Sequence, residues 1–344
     1  MEVISLNKIK VIVVDDSALM RKIISDMINS QEDMEVINVA RNGDELLKKL
    51  DKRPDVITLD VEMPMIDGIE TLKILKKSHI NIPVIMLSSL TEKGSQTTME
   101  CLELGAFDFI SKPSGSISLD INKVQDDLVT KIRLASGTEK KSFKKNPVVQ
   151  KSYKSKIDAV LIGASTGGPK ALYEVITKLP KLGVPVFVVQ HMPVGFTKAF
   201  AERLDKNSEL KVLEAEEGMR IVNDTVYVAK AGYHMKVLDG RKITLDSDPP
   251  IWGVRPAVDK LFISASKVYR KNTLSLIMTG MGRDGAEGTI AIKDVGGITL
   301  SQDEETSTIY GMPKAAFNTG KVDEVVSLNN IAKRISDIVS GKGV

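Results

Sequence analysis

KIKVIVVDDSALMRKIISDMI, residues 8–28, is the stretch whose reading decides the fold class. Its apolar run, residues 9–14, is too short for a helix and predicts a buried strand. Asp15 and Asp16 end that run, and Ser17 caps a segment with apolar residues at Met20, Ile23, Ile24, Met27 and Ile28, a helical spacing. The same unit recurs four times. Strand-like runs fall at 35–39, 55–59, 83–87 and 107–110, with helical segments near 44–50, 69–77, 96–104 and 122–134. Five βα units predict an α/β fold, a doubly wound parallel sheet with helices on both faces.

The remainder of the 344 residues follows the same logic after an interruption. Residues 136–156 have no periodicity and carry seven lysines against Glu139, whereas 1–135 carry 17 basic and 22 acidic side chains and 157–344 carry 24 and 22. The small net charge of +3 therefore conceals one basic segment. With only Phe143 and Tyr153 as aromatic company, that segment predicts a flexible linker and no nucleic-acid surface. The expected organisation is a first domain at 1–135, a linker at 136–156 and a second α/β domain at 157–344. In the second domain, strands are expected at 157–162, 184–189, 273–279 and 297–301. Helices are expected from about 169, near 197–204, at 256–269, after Gly285 and near 329–339. Four shorter strands, 211–214, 225–229, 234–238 and 242–245, predict an antiparallel insertion.

Composition excludes several classes. Hydrophobic residues at 42% and charged residues at 27% describe a globular chain. No apolar run approaches the roughly 20 residues of a membrane helix, and the N-terminal run stops at Asp15, too soon for a signal peptide. A single cysteine, Cys101, forbids an internal disulfide and gives no zinc spacing. A cytoplasmic monomer without membrane insertion is expected.

Ligands of doubly wound sheets sit outside the carboxyl ends of the strands, so residues just after strands are the functional candidates. Asp15, Asp16 and Asp60 meet at such an edge in the first domain. Three carboxylates raise each other's pKa unless a cation joins them, and a hard dication such as Mg²⁺ suits oxygen ligands. Ser88 and Lys112 end the fourth and fifth strands and add a hydroxyl and a fixed positive charge. The set suits phosphoryl transfer onto an aspartate.

In the second domain Gly163-Ala164-Ser165-Thr166-Gly167 satisfies G-x-S-x-G at a strand-to-helix turn. Of three histidines, His79 reads as a surface residue and His234 as a partly exposed structural one. His191 follows a strand and is the candidate base. Asp284 ends a third strand, which completes the requirements of a nucleophile–base–orienter triad. A second reading stays open here: Gly280-x-Gly282-x-x-Gly285, with Asp303 about 20 residues on, also fits a dinucleotide fingerprint and a non-catalytic nucleotide-binding output.

Val13-Val14-Asp15-Asp16-Ser17, Leu59–Pro64 with Asp67-Gly68, Met86-Leu87-Ser88 and Ser111-Lys112-Pro113 resemble the receiver domain of two-component response regulators. That resemblance implies Asp60 as phospho-acceptor, Asp15 and Asp16 with it as Mg²⁺ ligands, Ser88 and Phe109 as switch residues and Lys112 as the phosphate's ion pair. Gly163–Pro169, Gln190-His191-Met192-Pro193, Arg255–Asp259, Thr279–Ala286 and Gly311-Met312-Pro313 resemble the chemotaxis protein-glutamate methylesterase catalytic domain. It implies a phosphorylation-activated hydrolase that removes methyl esters from receptor glutamates, releasing methanol, and deamidates receptor glutamines. Its triad falls on Ser165, His191 and Asp284, with oxyanion and nucleophile support from the Met281 backbone and Thr166, and no cofactor for the ester chemistry. The implied partners are chemoreceptors as substrate and the chemotaxis histidine kinase as phosphodonor. The resemblance also implies inhibition by the unphosphorylated receiver. Lys230 and Ala231 in Ala229–Gly232, and Val254 before Arg255, depart from the family pattern near the expected substrate cleft.

Overall fold

The computed structural model describes residues 8–113, 118–137, 153, 155–239 and 241–341. The chain divides into two compact units, Met1–Phe143 and Lys144–Val344. Most of the expected linker lies outside the described residues, including the lysine pairs 140–141 and 144–145.

The first unit alternates β1 (Ile9–Val14), α1 (Ala18–Asn29), β2 (Met34–Ala40), α2 (Gly43–Leu47), β3 (Val56–Asp60), α3 (Gly68–Lys77), β4 (Val84–Ser88), α4 (Glu92–Leu104), β5 (Asp108–Ser111) and α5 (Ser118–Ala135). All strand pairs are parallel, in the order β2-β1-β3-β4-β5. Helix starts are set locally. Ser17, Asp67 and Thr91 cap α1, α3 and α4 by accepting the N–H of Met20, Glu70 and Gly94. β1 is apolar on both faces because helices cover both, and Val11–Val14 are wholly buried.

The second unit runs β6 (Ala159–Ala164), α6 (Gly168–Ile176), β7 (Val186–Gln190), α7 (Phe196–Asp205), β8 (Lys211–Glu214), β9 (Thr225–Val228), β10 (His234–Leu238), β11 (Lys242–Asp246), α8 (Val258–Tyr269), β12 (Thr273–Ile277), α9 (Ala286–Asp294), β13 (Ile298–Gln302), α10 (Met312–Asn318), β14 (Glu324–Val326) and α11 (Leu328–Val339). Seven strands form one parallel sheet, β14-β13-β12-β6-β7-β9-β8. The expected four-stranded antiparallel insertion is therefore corrected. β8 and β9 extend the main sheet in parallel, and only β10 and β11 form an antiparallel pair. The connection between β8 and β9 has no helix, so sequence pattern alone could not separate it from a hairpin. β14 and α10 were not anticipated, because three and seven residues show too little periodicity.

At the α11 edge, Arg334 and Glu324 form a buried ion pair, with Tyr153 under the Arg334 guanidinium at 5.6 Å. No helix among the described residues is long and apolar enough to cross a membrane.

Both sheets have a topological switch point, where the chain starts winding the opposite way. It falls between β1 and β3 in the first and between β6 and β12 in the second. Asp15 and Asp60 stand at one; Ser165 and Gly280–Asp284 stand at the other.

Candidate functional sites

In the first unit Lys112 Nζ lies 2.7 Å from both Asp15 Oδ2 and Asp60 Oδ2. Asp15 and Asp60 are buried and Asp16 is exposed. Carboxylate oxygens of all three lie within 4.8 Å of one another, a hard all-oxygen set that fits a dication. Burial pushes the Asp60 carboxyl up to about 6, against the pull of Lys112, and the neighbouring Asp15 adds to the rise. Ser88 is fully buried at the end of β4; its Oγ accepts from Thr98 Oγ1 at 2.6 Å and faces the Gly94 carbonyl of α4. Phe109 is buried, with Lys131 Nζ 5.6 Å from its ring centroid and bonded to its carbonyl oxygen.

In the second unit Ser165 is the first residue past β6. Its N–H donates to Thr279 O, and its carbonyl accepts from Gly168 N–H at 2.7 Å, closing a tight turn into α6. Gly167 takes φ +73° in that turn, and a Cβ there would strike Thr308. Gly280 lies against the serine: an added Cβ would be 2.7 Å from Ser165 Cβ. The fingerprint glycine is thus a steric allowance for Ser165.

His191 is the first residue past β7, beside Ser165, its N–H bonded to Ala164 O. Its Nε2 is 2.8 Å from Asp284 Oδ2, which leaves Nδ1 without a protein partner among the described residues. Asp284 also accepts the N–H of Val258 and Asp259 at the start of α8, at 2.6 and 3.0 Å. Burial works to raise its pKa; the hydrogen bond and charge of His191, with the two N–H groups, hold it below the usual carboxylate range. Thr166 is buried, its carbonyl held by Thr279 Oγ1, while the Met281 side chain is exposed. The backbone N–H groups of Thr166 and Met281 donate to no protein group among the described residues.

Two contributors escaped the sequence reading. Gln190 Nε2 donates to both Ser165 O and His191 O at 2.9 Å, so one buried amide ties the two loops together. Asp259 Oδ1 accepts the N–H of Gly285 and Gly288, and its Oδ2 accepts from Trp252 Nε1. An acid in the first turn of a helix was the available signal, and it usually means only capping. His79 is exposed as expected. His234 departs from expectation: it is wholly buried, accepts Ala257 N–H on Nδ1 and bonds Pro249 O through Nε2.

Residues 160–335 match the family described as CheB methylesterase, and residues 11–121 match the response regulator receiver domain. A protein-glutamate methylesterase/protein-glutamine glutaminase of Clostridium acetobutylicum is 57% identical over 344 residues, covering 98% of this chain and 99% of the relative. The protein of that name from Bacillus subtilis is 44% identical over 357 residues, covering 98% and 100%. The crystal structure of the Thermotoga maritima CheB methylesterase catalytic domain aligns with a TM-score of 0.52 at 40% identity, covering 54% of this chain and all of that one. Fold and matches together define a response regulator whose receiver is joined to an α/β enzyme domain. The chain belongs to the CheB methylesterase family.

Proposed function

We infer that this protein is a phosphorylation-controlled protein-glutamate methylesterase that also deamidates protein glutamine, acting on chemoreceptors. One observation carries the chemistry: His191, hydrogen-bonded to buried Asp284 at 2.8 Å, follows β7 as Ser165 follows the paired strand β6, and its Nδ1 has no protein partner among the described residues. Ser165 Oγ attacks the side-chain carbonyl while His191 Nδ1 takes its proton. Asp284 fixes the imidazole tautomer and supports the imidazolium. The developing oxyanion is held by the N–H groups of Met281 and Thr166. His191 then returns the proton to the leaving oxygen, giving methanol, or to the leaving nitrogen, giving ammonia. Water attacks the acyl-serine in the reverse sense and releases glutamate. This ester chemistry needs no cofactor. The nucleotide-binding alternative is disfavoured because Gly280 and Asp284 are already engaged with Ser165 and His191.

In the receiver, Asp15, Asp16 and Asp60 are the groups that would hold Mg²⁺, which supplies charge neutralisation for transfer of phosphate to Asp60. Lys112 pairs with the phosphate, and Ser88 and Phe109 report its arrival. The phosphodonor is a chemotaxis histidine kinase. The protein works as a cytoplasmic monomer without nucleic acid. Domain limits of 1–135, 136–156 and 157–344 complete this reading. Methanol release from methylated receptor membranes, measured with and without an acyl phosphate donor, tests it; no release under either condition sinks it.

A further inference from the structure

The chain's one tryptophan, Trp252, is 52% exposed and adopts φ +54°, a conformation bulky residues avoid. Exposure of a large indole on a strained backbone calls for a local reason. The ring is held at its edge: its Nε1–H donates to the buried Asp259 Oδ2 at 3.1 Å. The Arg283 guanidinium lies over the ring, 4.5 Å from its centroid. Arg283 immediately precedes Asp284, and Asp259 accepts the N–H groups of Gly285 and Gly288 just after it. The indole, the arginine and the turn bearing Asp284 thus share one buried anchor.

Contact with the indole restrains the guanidinium near the ring, and its N–H fork suits a planar anion. The Arg283 side chain is 56% exposed, and among the described residues its one carboxylate neighbour is Glu287 Oε1 at a long 3.5 Å. Most of its donors therefore face solvent. A second cation beside an aromatic ring lies on the loop after β9, where half-buried Lys230 has its Nζ 6.0 Å from the centroid of exposed Tyr233. The neighbouring Gly232 packs near Val194, three residues past His191. These loops present exposed apolar side chains, Val194, Tyr233 and Trp252, together with positive charge. That combination fits an acidic polypeptide.

We propose that Trp252 and Arg283 form a carboxylate-binding platform that recognises an acidic residue of the substrate protein flanking the side chain being hydrolysed. This rests on the hydrolase reading above, and it adds a specificity element that the triad does not supply. It also has a chemical logic. Each turnover leaves a new glutamate on the substrate, so a segment with several target sites acquires ligands for the platform as it is processed.

The full-length protein, with acyl phosphate and Mg²⁺, is tested on synthetic peptides carrying one γ-methyl glutamate. One set has Glu at positions on either side of the ester, the other has Gln at the same positions. Two readouts are taken: methanol release, and quenching or shift of Trp252 fluorescence, which reports the platform directly because there is no other tryptophan. A bidentate exposed contact gives an expected preference of about 5- to 10-fold for the Glu peptide, carried in KM. Arg283→Gln is expected to erase the preference with kcat changed less than the KM ratio, and Arg283→Glu to invert it toward Lys-flanked peptides. Trp252→Leu is expected to shrink it. Equal KM and equal fluorescence titrations for the two peptides, or a preference that survives Arg283→Gln, overturn the proposal. Charge-dependent fluorescence titration without methanol release would keep the platform and sink the hydrolase reading instead.

Discussion

Asp284 and Asp259 hold each other's helices: Asp284 Oδ1 accepts the N–H of Asp259 at 3.0 Å, and Asp259 Oδ1 accepts the N–H of Gly285 at 3.0 Å. Two buried carboxylates this close do not share charge equally. Asp284 has His191 and stays low, whereas burial, and then the Asp284 charge, pushes Asp259 up to about 6. The pair splits into an anion that orients the histidine and a partner that bears the electrostatic cost.

Substitution should expose that division. Asp284→Asn is expected to lower kcat by about 10³-fold or more, because an amide can stabilise the wrong imidazole tautomer. Asp259→Asn keeps one acceptor oxygen but turns an NH₂ toward Trp252 or the Gly285 turn. It should cost roughly 1–3 kcal/mol of stability with a much smaller kcat effect. Denaturation midpoints and steady-state kinetics on both variants check this; equal kcat losses would mean that Asp259 acts on His191 as directly as Asp284 does.

Ser165→Ala and His191→Ala should each remove nearly all methanol release, and the double variant should lose little more, since the two act as one unit. Single-turnover assays of the three variants decide the point. Multiplying losses would argue against a shared mechanism.

Gln190 donates to two carbonyls from one buried nitrogen. Gln190→Glu replaces that donor with an acceptor facing both oxygens. Activity is expected to fall about 10- to 100-fold, with a stability loss of roughly 1–3 kcal/mol. Gln190→Leu should cost less stability than Glu but a comparable amount of activity. If Gln190→Glu is fully active, the amide clamp is only packing.

Mg²⁺ should raise the thermal stability of the wild-type receiver, because it adds positive charge to Asp15 and Asp60, two buried carboxylates that share the single charge of Lys112. Asp60→Asn should reduce that increment and abolish acid-labile phosphate incorporation while leaving the second unit's methanol release at its unphosphorylated level. Calorimetry with graded Mg²⁺ and labelling with an acyl phosphate test both halves. Full labelling of Asp60→Asn would assign the phosphate to another side chain.

The strand ends were legible because each apolar run stops at a chemically conspicuous residue: Asp15, Asp60, Ser88, Ser165, His191. What could not be read is what reaches those residues from far along the chain. Gln190 lies beside His191 in sequence, yet its clamp on Ser165 exists only because β6 and β7 are neighbours. Asp259 looks like any acid in a first helical turn until the Asp284 turn is packed against it. The β8–β9 pairing failed for a related reason: a parallel crossover without a helix carries the turn signals of a hairpin. His234 misled because a polar residue opening a short strand is usually half-exposed, and here Pro249 and Ala257 close over it.

That buried histidine gives the last prediction a definite sign. Nδ1 of His234 accepts the Ala257 N–H at 3.1 Å, so the neutral ring carries its proton on Nε2, toward Pro249 O. Burial pushes its pKa below the usual imidazole value of 6.5; Pro249 O and Asp246 pull upward, while Lys260 and Arg255 add to the lowering. The unfolded chain therefore binds a proton at a pH where the folded chain does not. The stability contribution is fully present above about 6.5 and is lost as pH falls through that value toward the folded pKa. Protonation also removes the acceptor for Ala257, whose neighbour Val258 donates to Asp284. His234→Gln offers an acceptor that does not titrate. Urea unfolding followed by Trp252 fluorescence should show the wild type losing stability relative to this variant between pH 7 and pH 5, with the two profiles parallel above pH 7. Profiles parallel throughout would mean that His234 keeps its ordinary pKa in the folded protein, and the acid sensitivity of the α8 end would have to come from the Asp259–Asp284 pair.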